Sequence, residues 1–126
     1  IMIDIIRDNI QKAFVKGFKD NGIAYHTNRA ENPPLPYVKL WELNTWSEEY
    51  KTHEELYARF TFWVWDEAYN TKGNLDLLKA INNIANNITV EGLCNIERDK
   101  ESFRDAQKPD TKCTVTVYTF KIIRGK

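Results

Sequence analysis

One segment, RFTFWVW at residues 59–65, constrains the fold of this chain more than any other. Its residues favour a β-strand, and successive side chains of a strand point to opposite faces of the sheet. One face would carry Phe60, Phe62 and Val64, and the other would carry Thr61, Trp63 and Trp65. Both faces are therefore apolar. A chain of 126 residues can bury one such face in its own core, so the face with the two tryptophans needs a separate explanation.

The length and composition of the chain indicate one globular domain, spanning residues 1–126. Hydrophobic residues make up 42% and charged residues 29%, which are ordinary values for a folded domain. Lysine and arginine total 18, as do aspartate and glutamate, so no excess positive charge is available to attract a phosphate backbone. We therefore expect no sequence-specific nucleic-acid partner.

No apolar run approaches the ~20 residues that a helix needs to cross a bilayer. Asp4 and Arg7 also interrupt the apolar N-terminal segment too early for a signal-peptide core. We expect a soluble, non-secreted protein with no membrane partner. Cys94 and Cys113 have neither metal-ligand spacing nor a disulfide-rich pattern, which favours reduced structural thiols in a reducing compartment.

Two apolar stripes, at steps of three and four residues, predict two amphipathic helices that each bury one side. The first stripe consists of Ile3, Ile6, Ile10, Phe14 and Phe18. We expect its helix to end at Asn21 and Gly22. The second stripe consists of Leu77, Ile81, Ile84 and Ile88, in a helix with Asn74 as the expected N-cap.

Three further segments have the composition of strands. YVKLWEL, residues 37–43, would place Val38 and Leu40 on one face and Tyr37, Trp41 and Leu43 on the other. LCNIER at 93–98 and CTVTVYTFKII at 113–123 follow the second helix. The order α-β-β-α-β-β predicts an α+β fold, in which a four-stranded, mainly antiparallel sheet carries both helices on one face.

The second face of this sheet would have no cover from the helices. Leaving Trp63 and Trp65 in water would forgo about 3–6 kcal/mol, because burial of a large apolar side chain is worth about 1.5–3 kcal/mol. Two explanations are open: the long loops fold back over this face, or another copy of the protein covers it. We favour self-association and predict an oligomer interface formed by Tyr37, Trp41, Leu43, Trp63 and Trp65.

Two polar segments, residues 44–55 and 99–112, are longer than ordinary hairpin connections and are predicted to be projecting assembly arms. Aromatic side chains among their charges suggest contacts with a partner. The predicted arm contacts are Trp46 and Tyr50 in the first segment and Phe103, Arg104 and Asp105 in the second.

No combination of residues in the sequence predicts catalysis. His26 and His53 lie far apart, and His53 lacks a second histidine at the helical spacing of a metalloprotease motif. The cysteines have no local base, and the glycines are too isolated for a phosphate-binding loop. We therefore predict a protein without catalytic or metal-binding residues and without a cofactor. The alternative to an assembly protein is a small soluble module that binds a protein or ligand on the aromatic sheet face.

Four segments together resemble one known family, the tail-terminator or tail-to-head joining proteins of long-tailed bacteriophages, prophages and gene-transfer particles. They are the N-terminal amphipathic helix, PPLPYVKLWEL, the stretch HEELYARFTFWVWDEAYNTKGNLDLLKAINNIANNI, and FRDAQKPDTKCTVTVYTFKII. The most informative part is the middle one, in which an apolar strand ending in WVW passes through a polar turn with Gly73 into a helix. The resemblance covers nearly the whole chain.

This resemblance implies a structural role in the virion. Proteins of the family form a ring, usually of six copies, on the head-proximal end of the tail tube. The expected partners are further copies of the chain, the tail tube protein and the head completion or connector protein, with DNA able to pass through the ring. The expected location is the head-proximal end of the tail, after assembly in the host cytoplasm.

Overall fold

The computed structural model describes residues 2–26, 34–67, 69, 71–89, 96–104 and 111–125. Its helices are α1 (Met2–Asp20) and α2 (Thr71–Asn86), and its strands are β1 (Tyr25–His26), β2 (Tyr37–Glu49), β3 (His53–Glu67), β4 (Ile96–Arg104) and β5 (Thr111–Gly125). The predicted α+β fold is confirmed, with the two-residue strand β1 added to the four expected strands. In the described part of the chain, neither helix is long and apolar enough to span a membrane.

The strands form one sheet in the order β1-β2-β3-β5-β4. Only β1 pairs in parallel with its neighbour β2, and the other pairs are antiparallel. The longest ladder joins β3 to β5, from His53 opposite Gly125 to Glu67 opposite Thr111. Because β5 lies between β3 and β4, the chain crosses from the centre of the sheet to its edge through α2.

Helix α1 forms where its apolar stripe predicts it. Ile6, Ile10, Phe14 and Phe18 are buried in the core, and Ile3 packs against it. The helix ends at Asp20, just before the expected Asn21 and Gly22, and the φ of 66° at Gly22 is a left-handed conformation that glycine adopts at little cost. The amide of Ile23 then donates to the carbonyl of Phe18 at 2.8 Å, which satisfies a carbonyl of the last turn.

Helix α2 also buries most of its predicted stripe, since Ile81 is buried and Leu77 and Ile84 pack against the core, whereas the buried Ile88 lies two residues beyond the end of the helix. The N-cap prediction for Asn74 is wrong. Helical backbone begins three residues earlier, at Thr71, and places Asn74 inside the first turn, where its side chain is buried. An N-cap residue has to lie outside the helical backbone, so Asn74 cannot have that role.

The core lies between the helices and the sheet and is centred on aromatic rings. Phe60, Phe62 and Val64 are buried as their alternation along β3 predicts. The ring of Phe14 contacts five other aromatic rings at centroid distances between 4.8 and 5.9 Å, namely those of Phe18, Phe60, Phe62, Tyr118 and Phe120. These distances are those of offset and edge-to-face pairs, which add to the free energy gained from burial.

The two predicted arms are mostly strand. Residues 44–49 continue β2 and pair with residues 54–59 of β3. A tight turn joins the strands, in which the Tyr50 amide donates to the His53 carbonyl at 2.9 Å. Residues 96–98 of the predicted strand are confirmed as strand and β4 continues through residues 99–104, while residues 91–95 and 105–110 lie outside the described residues. The polar composition of these segments is misleading because backbone pairing holds them in the sheet.

A β-bulge at Trp41 alters the faces of β2. Leu40 pairs with Phe62 and Glu42 with Thr61, which leaves Trp41 as an extra residue between them. One extra residue moves every later side chain to the opposite face. The prediction that Leu43 shares a face with Tyr37 and Trp41 is therefore wrong, because Leu43 lies opposite Phe60 and packs against the core.

Gly17 sits where α1 and α2 approach closely. A Cβ atom at this position would lie 2.5 Å from Cγ2 of Ile84 and 3.0 Å from its Cγ1. Alanine would gain about 1 kcal/mol of helix propensity, but overpacking of a core contact costs about 1–3 kcal/mol. We expect Gly17→Ala to lower the free energy of unfolding in urea by about 1 kcal/mol. In an Ile84→Ala background the same change should be neutral or stabilising, and equal losses in both backgrounds would contradict the contact.

Candidate interface on the outer sheet face

The outer face, meaning the side of the sheet that the helices do not cover, carries a row of stacked aromatic pairs along β2 and β3. Each pair joins a residue of the first half of this hairpin to one of the second half. The pairs are Tyr37 with Trp65, Trp41 with Trp63, Trp46 with Tyr57, and Tyr50 with His53, at centroid distances of 6.5, 3.9, 4.9 and 4.7 Å. Cross-strand aromatic pairs stabilise a sheet and hold the rings in place.

The closest pair results from the bulge at Trp41. Its ring stacks on Trp63 at an interplanar angle of 13°, and Trp63 also lies 6.0 Å from Trp65. Trp63 and Trp65 of β3 therefore pack partly on each other and on Tyr37, which is buried. Trp41, Trp63 and Trp65 each remain partly exposed, so the cluster still presents aromatic surface to solvent.

Strand β5 extends the apolar part of this face. Cys113 lies opposite Trp65 and Val115 lies opposite Trp63, and both side chains are buried. The ammonium group of Lys39 lies 5.8 Å from the centre of the Tyr37 ring, which is within the range of a cation–π contact. We call the group formed by the buried Tyr37 and the partly exposed Trp41, Trp63 and Trp65 the aromatic cluster.

The opposite end of the outer face is polar. The carboxylate of Glu55 accepts from the Tyr57 hydroxyl at 2.5 Å, and it lies 3.3 Å from Nζ of Lys121 and 3.4 Å from Nε2 of His53. Chiefly through the bond from Tyr57, these partners lower the pKa of Glu55. The same bond raises the pKa of Tyr57, because ionising its hydroxyl would place two negative charges together.

Because the pKa of Glu55 is lowered in the folded protein, the stabilisation that its hydrogen-bond network provides depends on pH. Since the folded-state pKa is lowered, the stabilisation from this carboxylate is present above its ordinary pKa and is lost as the pH falls through the folded-state value. At neutral pH the network is therefore intact. It stabilises the end of the hairpin but contains no nucleophile activated by a neighbouring base.

The structure separates the predicted contact residues into two groups. Tyr37, Trp41, Trp63 and Trp65 come together, whereas Trp46 and Tyr50 lie toward the hairpin turn on the same face. Phe103 and Arg104 belong to β4, but their side chains, and the whole of Asp105, lie outside the described residues.

Tyr57 and Arg59, which the sequence analysis did not predict as contact residues, complete the polar end of the outer face. Tyr57 stacks on Trp46, and the guanidinium of Arg59 lies 5.0 Å from the Trp46 ring centre. Arg59 also donates to Thr119 at 3.3 Å, which ties β3 to β5. Counting outward from a turn at Lys51 and Thr52 would have aligned Trp46 with Tyr57, but the length of the polar segment obscured this turn.

Within the described ranges, no three His, Cys, Asp or Glu side chains are grouped so that they could hold a metal ion. His26 packs edge-on against Tyr37 at 5.9 Å, and His53 belongs to the network of Glu55. Cys113 is a buried cysteine, and Cys94 lies outside the described residues.

Comparison with known proteins is informative at the level of the fold. No known protein family and no curated protein matches the sequence. Among solved structures, a chain in the virion of a native gene transfer agent particle has a similar fold, with a TM-score of 0.58 and 17% sequence identity. The match covers 85% of this chain and 84% of that one, so the similarity extends over most of both chains.

Proposed function

We propose that this chain is a structural virion protein that forms a ring on the head-proximal end of a tail tube. In this role it stops growth of the tube and joins the tail to the head connector. The observation that carries the proposal is the aromatic cluster, which is a partly exposed surface on a fold shared with a virion chain. The role is mechanical and requires neither catalysis nor a cofactor.

Two observations support a virion role. The sequence resembles tail-terminator proteins in four segments, and the fold resembles that of a gene transfer agent virion chain over 85% of the length. The first comparison uses the residues themselves, while the second uses backbone geometry at 17% identity. The resemblance supports the position at the tail end, and the fold supports the broader class of virion protein.

The outer face supports self-association as part of this role. Interfaces are enriched in tryptophan and tyrosine, and such residues dominate binding free energies when they are buried by a partner. The aromatic cluster is stacked within the subunit, so it loses little conformational entropy on assembly. The stack also places Trp41 and Trp63 against each other, which leaves less room for a planar ligand between them and disfavours the alternative of a ligand-binding module.

Electron microscopy of the purified protein with tail tubes of the same particle tests the proposal. We expect added protein to appear as a ring on one end of each tube and to stop elongation when further tube subunits are supplied. Tubes incubated without the protein should continue to lengthen. Tubes that lengthen equally in its presence, with no density at either end, would refute the terminator role.

A further inference from the structure

The sheet has two edges along which, in the described part of the chain, a strand has a neighbour on one side only. Strand β1 covers the edge of β2 opposite Val38 and Lys39 and no farther. From Glu42 to Glu49, β2 pairs regularly with β3 on one side, and the sheet ends on the other. Strand β4, of nine residues, forms the opposite edge and pairs with β5. Such edges present rows of backbone donors and acceptors to which another strand can pair.

The turn between β2 and β3 shows which backbone groups of β2 face its free edge. The amide of Tyr50 donates to the carbonyl of His53 at 2.9 Å, so the backbone groups of Tyr50 point toward β3. Because these groups alternate in direction along an antiparallel strand, those of Leu43, Thr45 and Ser47 point away from β3. Among the described residues, no backbone group bonds to these three on the side facing away from β3.

The same alternation identifies the backbone groups of β4 that face outward. The carbonyl of His53 faces β2, so the backbone groups of the next residue, Glu54, face β5. The pairing of β3 with β5 and that of β5 with β4 then continue without a bulge. Counted through these two ladders, the backbone groups of Arg98, Lys100 and Ser102 point away from β5.

Charge and symmetry distinguish the pairings that these two edges allow. Residues 43–47 of β2, LNTWS, contain no charge and no proline, which are common devices against pairing. Residues 97–101 of β4 read ERDKE, so an antiparallel pair of two β4 edges centred on any of them sets like charges opposite each other. A pair of two β2 edges is symmetric and ends at two copies. Pairing of β2 with β4 avoids this repulsion and can repeat around a ring.

We propose that β2 of one copy pairs antiparallel with β4 of the next copy, through the outward-facing backbone groups of Leu43, Thr45 and Ser47. Within the sheet β2 and β4 run in opposite directions. A rotation about an axis along the strands therefore sets the two edges antiparallel and continues the sheet from copy to copy. The proposal rests on the proposed function, for which it supplies a contact between neighbours in addition to the aromatic cluster.

Proline substitution at the two edges tests this contact, because proline at an outward-facing position removes a backbone donor that the subunit does not use. Ser47→Pro and Ser102→Pro should each assemble at least about tenfold more weakly than the wild type. Mixed at a concentration at which neither assembles alone, the two variants should form a heterodimer and nothing larger. In this mixture the native β2 of the second variant meets the native β4 of the first, and no other native pair remains.

The matched controls are Ser47→Ala and Ser102→Ala, which keep the backbone amide and should assemble like the wild type. Sedimentation velocity measures assembly in solution, electron microscopy counts ring-capped tail tubes, and circular dichroism verifies that each variant is folded. Normal assembly of both proline variants, or no heterodimer in the mixture, overturns the contact, while wild-type rings on tubes keep the proposed function. Assembly of Ser102→Pro alone overturns β4 as the occupant of the β2 edge. A heterodimer without wild-type rings on tubes keeps the contact and refutes the terminator role.

Amide hydrogen exchange of the wild-type protein is a second measurement that needs no substitution. In the free subunit the amides of Thr45 and Ser47 should exchange quickly, whereas those of Asn44 and Trp46, which face β3, should be protected. In the assembled protein all four amides should be protected. Equally fast exchange of Thr45 and Ser47 before and after assembly would overturn the contact, even if a proline variant did not fold.

Discussion

Replacing Trp63 and Trp65 together by serine is expected to give a folded monomer that no longer assembles. Each tryptophan is partly exposed on the outer face, while Phe60, Phe62 and Val64 of the same strand hold the core on the other face. Loss of an aromatic hot-spot residue costs about 2 kcal/mol or more of binding free energy, which is about 30-fold in affinity for each ring. Assembly should therefore fall by at least about 100-fold, as measured by sedimentation velocity and by ring formation on tail tubes.

The matched control for this pair is Trp63→Phe with Trp65→Phe. Phenylalanine keeps an aromatic ring at each position and should retain a substantial part of assembly. Serine at position 63 also removes the stack on Trp41, which lies 3.9 Å away, so a modest loss of thermal stability is expected in the serine variant. If the serine variant unfolds instead, these rings belong to the core of the subunit and the interface assignment is wrong.

The core could be predicted from the sequence because its signals are local. The stripe from Ile6 to Phe18 on α1 repeats with the helical period, and Phe60 and Phe62 repeat with the period of a strand. A side chain that must be buried leaves this periodicity in the sequence whatever the details of the tertiary structure. The glycine at the end of α1 is a similarly local signal, since its left-handed conformation restricts which residue can occupy the position.

The faces of β2 could not be predicted beyond Trp41, because the bulge depends on a distant constraint. The turn at Lys51 and Thr52 sets the register of the hairpin near its tip, and the pairing of Val38 with Val64 sets it at the other end. Between these two registers β2 contains one residue more than β3, and this extra residue forms the bulge. Periodicity within β2 alone contains no information about this excess, so Leu43 was assigned to the wrong face.

The extent of β4 was missed for a different reason. From residue 99 onward its sequence, DKESFR, has few apolar residues and no alternation, so composition predicts a loop there. Its strand conformation comes from pairing with β5, where Ile96 lies opposite Ile122 and Arg104 opposite Thr114. An edge strand can be highly charged because charge on an edge discourages unwanted pairing with other chains. The argument that charge on a strand edge discourages unwanted pairing also applies to the acidic end of the hairpin formed by β2 and β3.

Replacing Phe14 by alanine is expected to be the most destabilising single change in the subunit, lowering the free energy of unfolding by about 3–5 kcal/mol. Phe14 is 1% exposed, and its ring joins α1 to β3 and β5 through Phe62 at 4.8 Å and Phe120 at 5.8 Å. Removing it leaves a cavity that these rings cannot close, because both are held by strands at the centre of the sheet.

Equilibrium unfolding in urea, followed by circular dichroism, measures this loss. Phe14→Leu keeps most of the buried volume and should cost less than half as much, whereas Ile5→Ala, at a position that is 58% exposed on the same helix, should change stability by no more than about 0.5 kcal/mol. A cost for Phe14→Ala as small as that for Ile5→Ala would mean that α1 is not docked on the sheet in solution.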